Sequence, residues 1–213
     1  MMRNLFTRLR ANKPLLFGIY GAIGCLIAAI FLGEPLLALT RLAPSVQHTP
    51  QALVLLIDTS SSMSDGKLTE VKAAATKFVQ RRNLTQDKLA VVSFGIDVRT
   101  ATPLTDDANT LKSAIASLSE NGGTPMAQGL DTSVAELQST SDGRNILLFT
   151  DGVPGSPTQT FFSAESARRQ NINLIAVATG DADTNYLARL TGDPSLVFYA
   201  SSGNFDQAFR NAE

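Results

Sequence analysis

Beyond residue 51, the sequence alternates between short apolar runs and longer segments with helical spacing. Residues 52–57 (ALVLLI) form a continuous apolar run, which is typical of a strand covered on both faces. Residues 67–82 follow with apolar positions on one side, which predicts an amphipathic helix. Strands that alternate with helices predict an α/β fold, with a doubly wound, mostly parallel sheet and helices on both of its faces.

The same alternation continues to the end of the chain. Gly95 is expected to turn the second strand into a short antiparallel partner strand at 96–101. Further strands are predicted at 89–94, 145–150, 172–178 and 196–199, and further helices at 110–118, 125–137, 162–170, 186–190 and 205–211.

Polar side chains follow two of the predicted strands directly and precede one helix. Asp58 begins the segment DTSSSMS after the first strand, and Asp151-Gly152 follows the strand at 145–150. Gly122-Gly123-Thr124-Pro125 brings a hydroxyl to the start of the helix at 125. Ligands in such sheets bind at the carboxyl ends of strands, so these segments are expected to offer oxygen ligands to one edge. Each segment also has a purely structural interpretation, as a helix cap or a turn.

Taken together, the three segments resemble the von Willebrand factor type A (vWA) domain in order and spacing, over residues 52 to about 211. The matching parts are Asp-x-Ser-x-Ser, Gly-Gly-Thr-Pro-Met and Thr-Asp-Gly. The resemblance implies a doubly wound sheet with one antiparallel edge strand, and a metal-ion-dependent adhesion site. The residues that it implies around a divalent cation are Asp58, Ser60, Ser62, Thr124 and Asp151.

The chemistry of these side chains indicates which ion and which partner the site would take. Oxygen-only ligands suit a hard cation such as Mg²⁺, with Mn²⁺ or Ca²⁺ as substitutes. Neutral hydroxyls donate weakly, so the ion would remain strongly electrophilic and would favour a carboxylate as an added ligand. We therefore expect a partner protein that presents an exposed Asp or Glu.

Other functions are less consistent with the sequence. The net charge of −1 gives no sign of the basic surface of a nucleic-acid-binding protein. A single histidine, His48, and a single cysteine, Cys25, exclude a Cys/His zinc cluster within the chain. A haloacid-type phosphatase would need an acid where Ser60 stands. We expect a binding module and no enzyme, with a metal-dependent hydrolase or a structural domain without metal as the alternatives.

The N-terminal part has the pattern of a membrane anchor. Residues 15–32 contain no charge, and four basic residues precede them. The predicted organisation is a basic cytoplasmic tail at 1–14, a transmembrane helix at 15–39, a linker at 40–51 and the vWA-like domain at 52–213 outside the cytoplasm. A cleaved signal peptide and a lipoprotein cysteine at Cys25 are the competing interpretations.

Small residues recur along the predicted transmembrane helix at spacings that allow close packing of a second membrane helix. They are Gly18, Gly21, Ala22, Cys25 and Ala29. The sequence thus predicts a membrane-tethered, metal-dependent protein-binding module that serves the assembly or stabilisation of a membrane or envelope complex.

Overall fold

The computed structural model describes residues 49–180, 182–201 and 204–211. The predicted tail and transmembrane helix, and residues 40–48 of the linker, lie outside these ranges. None of the helices within these ranges is long and apolar enough to cross a membrane.

The described residues form one mixed sheet with helices on both faces. The strands are β1 (Gln51–Asp58), β2 (Lys88–Phe94), β3 (Val98–Thr105), β4 (Gly143–Thr150), β5 (Ile172–Thr179) and β6 (Val197–Ala200). The helices are α1 (Lys67–Arg81), α2 (Ala108–Ser117), α3 (Met126–Leu137), α4 (Pro157–Arg169), α5 (Thr184–Thr191) and α6 (Phe205–Asn211).

The strand order is β3-β2-β1-β4-β5-β6, and only the β2–β3 pair is antiparallel. The predicted fold, a doubly wound, mostly parallel sheet with one antiparallel edge strand, is confirmed.

Alternation along β1 divides the core into two layers. Leu53, Leu55 and Ile57 pack with α1 and α2 on one face. Val54 and Leu56 pack with α3, α4 and α5 on the other. Because both faces of the strand are covered, β1 has to be apolar between its two ends, as residues 52–57 are.

The strand order reverses at β1, which lies between β2 and β4. Asp58 pairs with Phe94 and Ile57 with Phe149, so the three strands end at nearly the same level. The carboxyl ends of parallel strands at such a reversal form the crevice where open α/β sheets bind ligands. This geometry brings the loops after β1 and β4 together.

Most predicted elements differ from the structure by one or two residues at an end, and two differ by more. The antiparallel strand spans Val98–Thr105 rather than 96–101, since an edge strand tolerates Pro103 in its interior. Helix α4 begins at Pro157, five residues before the predicted start, because Pro157 occupies its first turn after Ser156 as N-cap. The first turn of α4 is polar, so apolar spacing does not indicate where this helix begins.

Candidate metal site at the carboxyl edge of the sheet

Asp58 ends β1 and lies fully buried beneath the loop that follows. Its Oδ1 accepts a hydrogen bond from the main-chain N–H of Ser60 at 2.8 Å. Its Oδ2 accepts one from the Thr150 hydroxyl, at the end of β4, at 2.7 Å. Burial raises the pKa of Asp58, and these hydrogen bonds oppose that shift. The carboxyl group is therefore rigidly held between the two strand ends.

A short series of oxygen contacts extends from Ser60 to the second carboxylate. The Ser60 and Ser62 hydroxyls lie 2.9 Å apart. The Ser62 hydroxyl donates to Asp151 Oδ1 at 2.6 Å. Ser60 and Asp151 are buried whereas Ser62 between them is exposed, so the series reaches the surface at Ser62. The structure thus brings four of the five predicted residues into one hydrogen-bonded group.

Thr124 lies on a neighbouring loop that packs against the same strand ends. The main-chain N–H of Asn121 donates to the Thr59 carbonyl at 2.9 Å, which joins this loop to the one after β1. A Cβ added at Gly123, where φ is +67°, would lie 2.6 Å from the Gly95 carbonyl oxygen, so only glycine permits this approach. Thr124 is half-buried, and among the described residues its side chain makes no hydrogen bond to the other four. It is adjacent to the group without being bonded to it.

Lys67, at the first position of α1, lies within the same cluster of loops. Its Nζ lies 2.6 Å from Asp151 Oδ2 and donates to the Ser62 carbonyl at 2.9 Å. A Cβ added at Gly180 would be 3.1 Å from that nitrogen, so the ammonium lies against the chain after β5. The Lys67 ion pair uses one oxygen of Asp151, and the other accepts from Ser62.

These side chains fit a small hard cation. Oxygen ligands at about 2.0–2.1 Å in an octahedron place neighbouring ligands about 2.9 Å apart, which is the separation of the two serine hydroxyls. In the described ranges, no three His, Cys, Asp or Glu side chains gather into a metal cluster, so hydroxyls would have to supply part of any coordination. The donor set, with two carboxylates and exposed hydroxyl oxygen, is suited to Mg²⁺ or Mn²⁺.

Sequence reasoning missed two members of this group. The sequence places Lys67 at the start of a predicted helix and gives it no role in the site, although a cation is electrostatically unfavourable at a helix N-terminus and needs a local reason. That reason is Asp151. Thr150 belongs to the predicted strand and to the Thr-Asp-Gly motif but is not among the predicted site residues, although a hydroxyl at the buried end of an apolar strand needs a hydrogen-bond partner. That partner is Asp58.

The family model of the von Willebrand factor type A domain matches residues 52–211. Solved structures with the same fold have low sequence identity to the chain. The vWF domain of the type V pili tip protein Mfa5 from Porphyromonas gingivalis is 15% identical, with a TM-score of 0.69, over 76% of this chain and 93% of that one. An aerotolerance-related membrane protein from Bacteroides fragilis is 17% identical, with a TM-score of 0.64, over 75% of this chain and 94% of that one.

A third structure was solved with metal at the corresponding motif of its own chain. It is proximal thread matrix protein 1 from the mussel byssus, described with a zinc-occupied MIDAS motif. It is 19% identical, with a TM-score of 0.69, over 77% of this chain and 45% of that longer one. At these identities the structures show a common fold. Together with the family match over most of its length, this shows that the chain belongs to the von Willebrand factor type A domain family.

Proposed function

We propose that this protein is a binding module in which a divalent cation, held at the carboxyl edge of the sheet, takes a carboxylate from a partner protein. The proposed metal residues are Asp58, Ser60, Ser62, Thr124 and Asp151. The observation that carries the proposal is the series of short oxygen contacts from Ser60 through Ser62 to Asp151, above the buried Asp58.

The metal in this proposal is Mg²⁺, with Mn²⁺ or Ca²⁺ able to substitute. Hard cations prefer oxygen ligands, and no sulfur or imidazole lies among the five proposed residues. The zinc in the mussel protein's motif supports a divalent ion at sites of this family without deciding which ion this chain uses. When bound, the ion would supply an electrophilic position for an anionic ligand.

The surface beside Thr124 is suited to a protein partner. A cavity of about 400 Å³ opens there, and Gly123, Thr124, Gln128 and Ser156 are among the residues that line it. Ile96, which also lines this cavity, is 76% exposed. An acidic residue that reached the metal would bring its neighbouring side chains onto this surface, where amide, hydroxyl and apolar groups are available. The protein acts by binding rather than catalysis in this proposal.

The proposed location is a membrane, with the N-terminus in the cytoplasm and the vWA domain outside it. The uncharged segment at 15–32 and the basic residues before it support this topology. The small-residue positions from Gly18 to Ala29 would contact a second membrane helix within an envelope complex. Labelling of a Ser119→Cys variant with a membrane-impermeant maleimide on intact cells tests the topology, since Ser119 is exposed on the domain.

Metal-dependent capture tests the proposed function. The full chain is compared with Asp58→Asn, and with Asp131→Asn as a control at an exposed position of α3. We expect Mg²⁺ to raise the melting temperature of the native chain and of the control but not of Asp58→Asn. Capture of the partner from detergent extracts should be lost with Asp58→Asn and with chelator. Equal capture under all these conditions would remove the metal from the mechanism.

A further inference from the structure

The cluster of loops that holds the proposed metal residues also contains a fixed positive charge. Lys67 Nζ lies 2.6 Å from Asp151 Oδ2 and 2.9 Å from the Ser62 carbonyl oxygen. Its side chain is only 34% exposed, and that of Asp151 is 2% exposed. Contacts with two site loops and packing against Gly180 hold the ammonium in this position.

The charges of these groups determine how strongly the site attracts ions. Asp58 and Asp151 contribute two negative charges when ionised, and Lys67 cancels one of them. A divalent cation that binds there leaves the site with a net positive charge. Without Lys67 the same cation would leave it neutral. The lysine therefore opposes binding of the metal alone and favours an added anion once the metal is bound.

We propose that Lys67 acts as a built-in counter-charge that couples the two binding events, so that the metal is held weakly until a carboxylate of the partner joins it. This inference rests on the proposed metal site. Because coupling between two ligands is reciprocal, the metal strengthens carboxylate binding by the same factor by which carboxylate strengthens metal binding. The protein would then release both ligands together.

The test compares Mn²⁺ affinity of the full chain in sodium acetate and in sodium chloride of equal ionic strength. Electron paramagnetic resonance of free Mn²⁺ measures this affinity directly. The variant is Lys67→Met, which keeps much of the length of the side chain and removes its charge. Lys77→Met, at an exposed position of the same helix, is the matched control. Lys67→Arg keeps a positive charge at this position.

We expect Lys67→Met to bind Mn²⁺ about tenfold more tightly in chloride, since one unit charge near a divalent ion is worth at least about that factor even at high effective dielectric. The increase in Mn²⁺ affinity on replacing chloride with acetate should be smaller in Lys67→Met than in the native chain. It should be the same as in the native chain in Lys77→Met and in Lys67→Arg. Equal or weaker Mn²⁺ binding by Lys67→Met, with the native chain binding normally, would overturn the inference alone. Failure of every form to bind Mn²⁺ would overturn the metal site itself.

Discussion

Replacing Thr150 with valine tests whether the two strand ends are joined as the structure indicates. Valine keeps the shape of threonine and removes the hydroxyl that donates to Asp58 Oδ2 at 2.7 Å. Both side chains are fully buried, so water does not readily replace the lost donor. Loss of a hydrogen bond to a buried charged group costs about 1.5–3 kcal/mol of unfolding free energy.

The loss should depend on pH with a defined sign. Burial raises the pKa of Asp58 above its ordinary value of 3.8, so the folded state holds this proton more tightly than the unfolded state does. The free energy of unfolding therefore falls as pH rises from 3.8 through the pKa of the folded state. Removing the Thr150 donor raises that pKa further. The deficit of the variant is therefore largest where Asp58 is ionised, and it shrinks when acidification protonates the carboxyl group.

Urea unfolding at several pH values, in chelator so that bound metal does not stabilise the native state, measures this deficit. With a urea m value of about 2 kcal/mol/M, a loss of about 2 kcal/mol lowers the midpoint by about 1 M. The control is Thr179→Val at the end of β5, where the hydroxyl makes no hydrogen bond to the described residues. Equal stability of the two variants, or a deficit that grows on acidification, would refute the reasoning.

Three further substitutions test the surroundings of the site and the fold. A Cβ at Gly95 would lie 1.6 Å from Asn121 Oδ1, so Gly95→Ala should lower both the melting temperature and the rise in melting temperature caused by Mg²⁺. Gly155→Ala is the control and should change neither, because a Cβ added at Gly155 meets no other atom within 4 Å. Asp107→Ala removes the N-cap of α2 and should lower the melting temperature. Hydrogen bonds from Thr110 and from main-chain N–H groups hold the pKa of Asp107 below its ordinary value. The difference in melting temperature between the native chain and the variant should therefore fade as pH falls through that lowered pKa. Leu55→Ala, in the fully buried core, should cost about 2–5 kcal/mol in urea unfolding.

The fold could be predicted because its signal lies in local periodicity. The apolar run of β1 requires cover on both faces, and alternating helices provide it. Parallel strands then bring their carboxyl ends to one edge, which accounts for the proximity of Asp58 and Asp151 before any coordinates are known. Element limits were less predictable, since the start of α4 depends on Pro157 rather than on apolar spacing.

The contacts within the site could not be read from the same signal. Whether Asp58 meets Thr150 depends on the register between β1 and β4, and the continuous apolar runs of these two strands lack the alternation from which a register could be read. The ion pair between Lys67 and Asp151 joins positions 84 residues apart, so only the folded arrangement of α1 and β4 reveals it. Thr124 illustrates the opposite case, because its motif is recognisable although its side chain is not bonded to the other four.

The most direct test of the proposed metal site is an anomalous difference map from crystals of the protein grown with Mn²⁺. We expect one strong peak within coordination distance of both the Ser60 and the Ser62 hydroxyls, on the solvent side of Asp58. Absence of a peak there from crystals that hold Mn²⁺ elsewhere, or an ammonium of Lys67 at that position, would contradict this expectation.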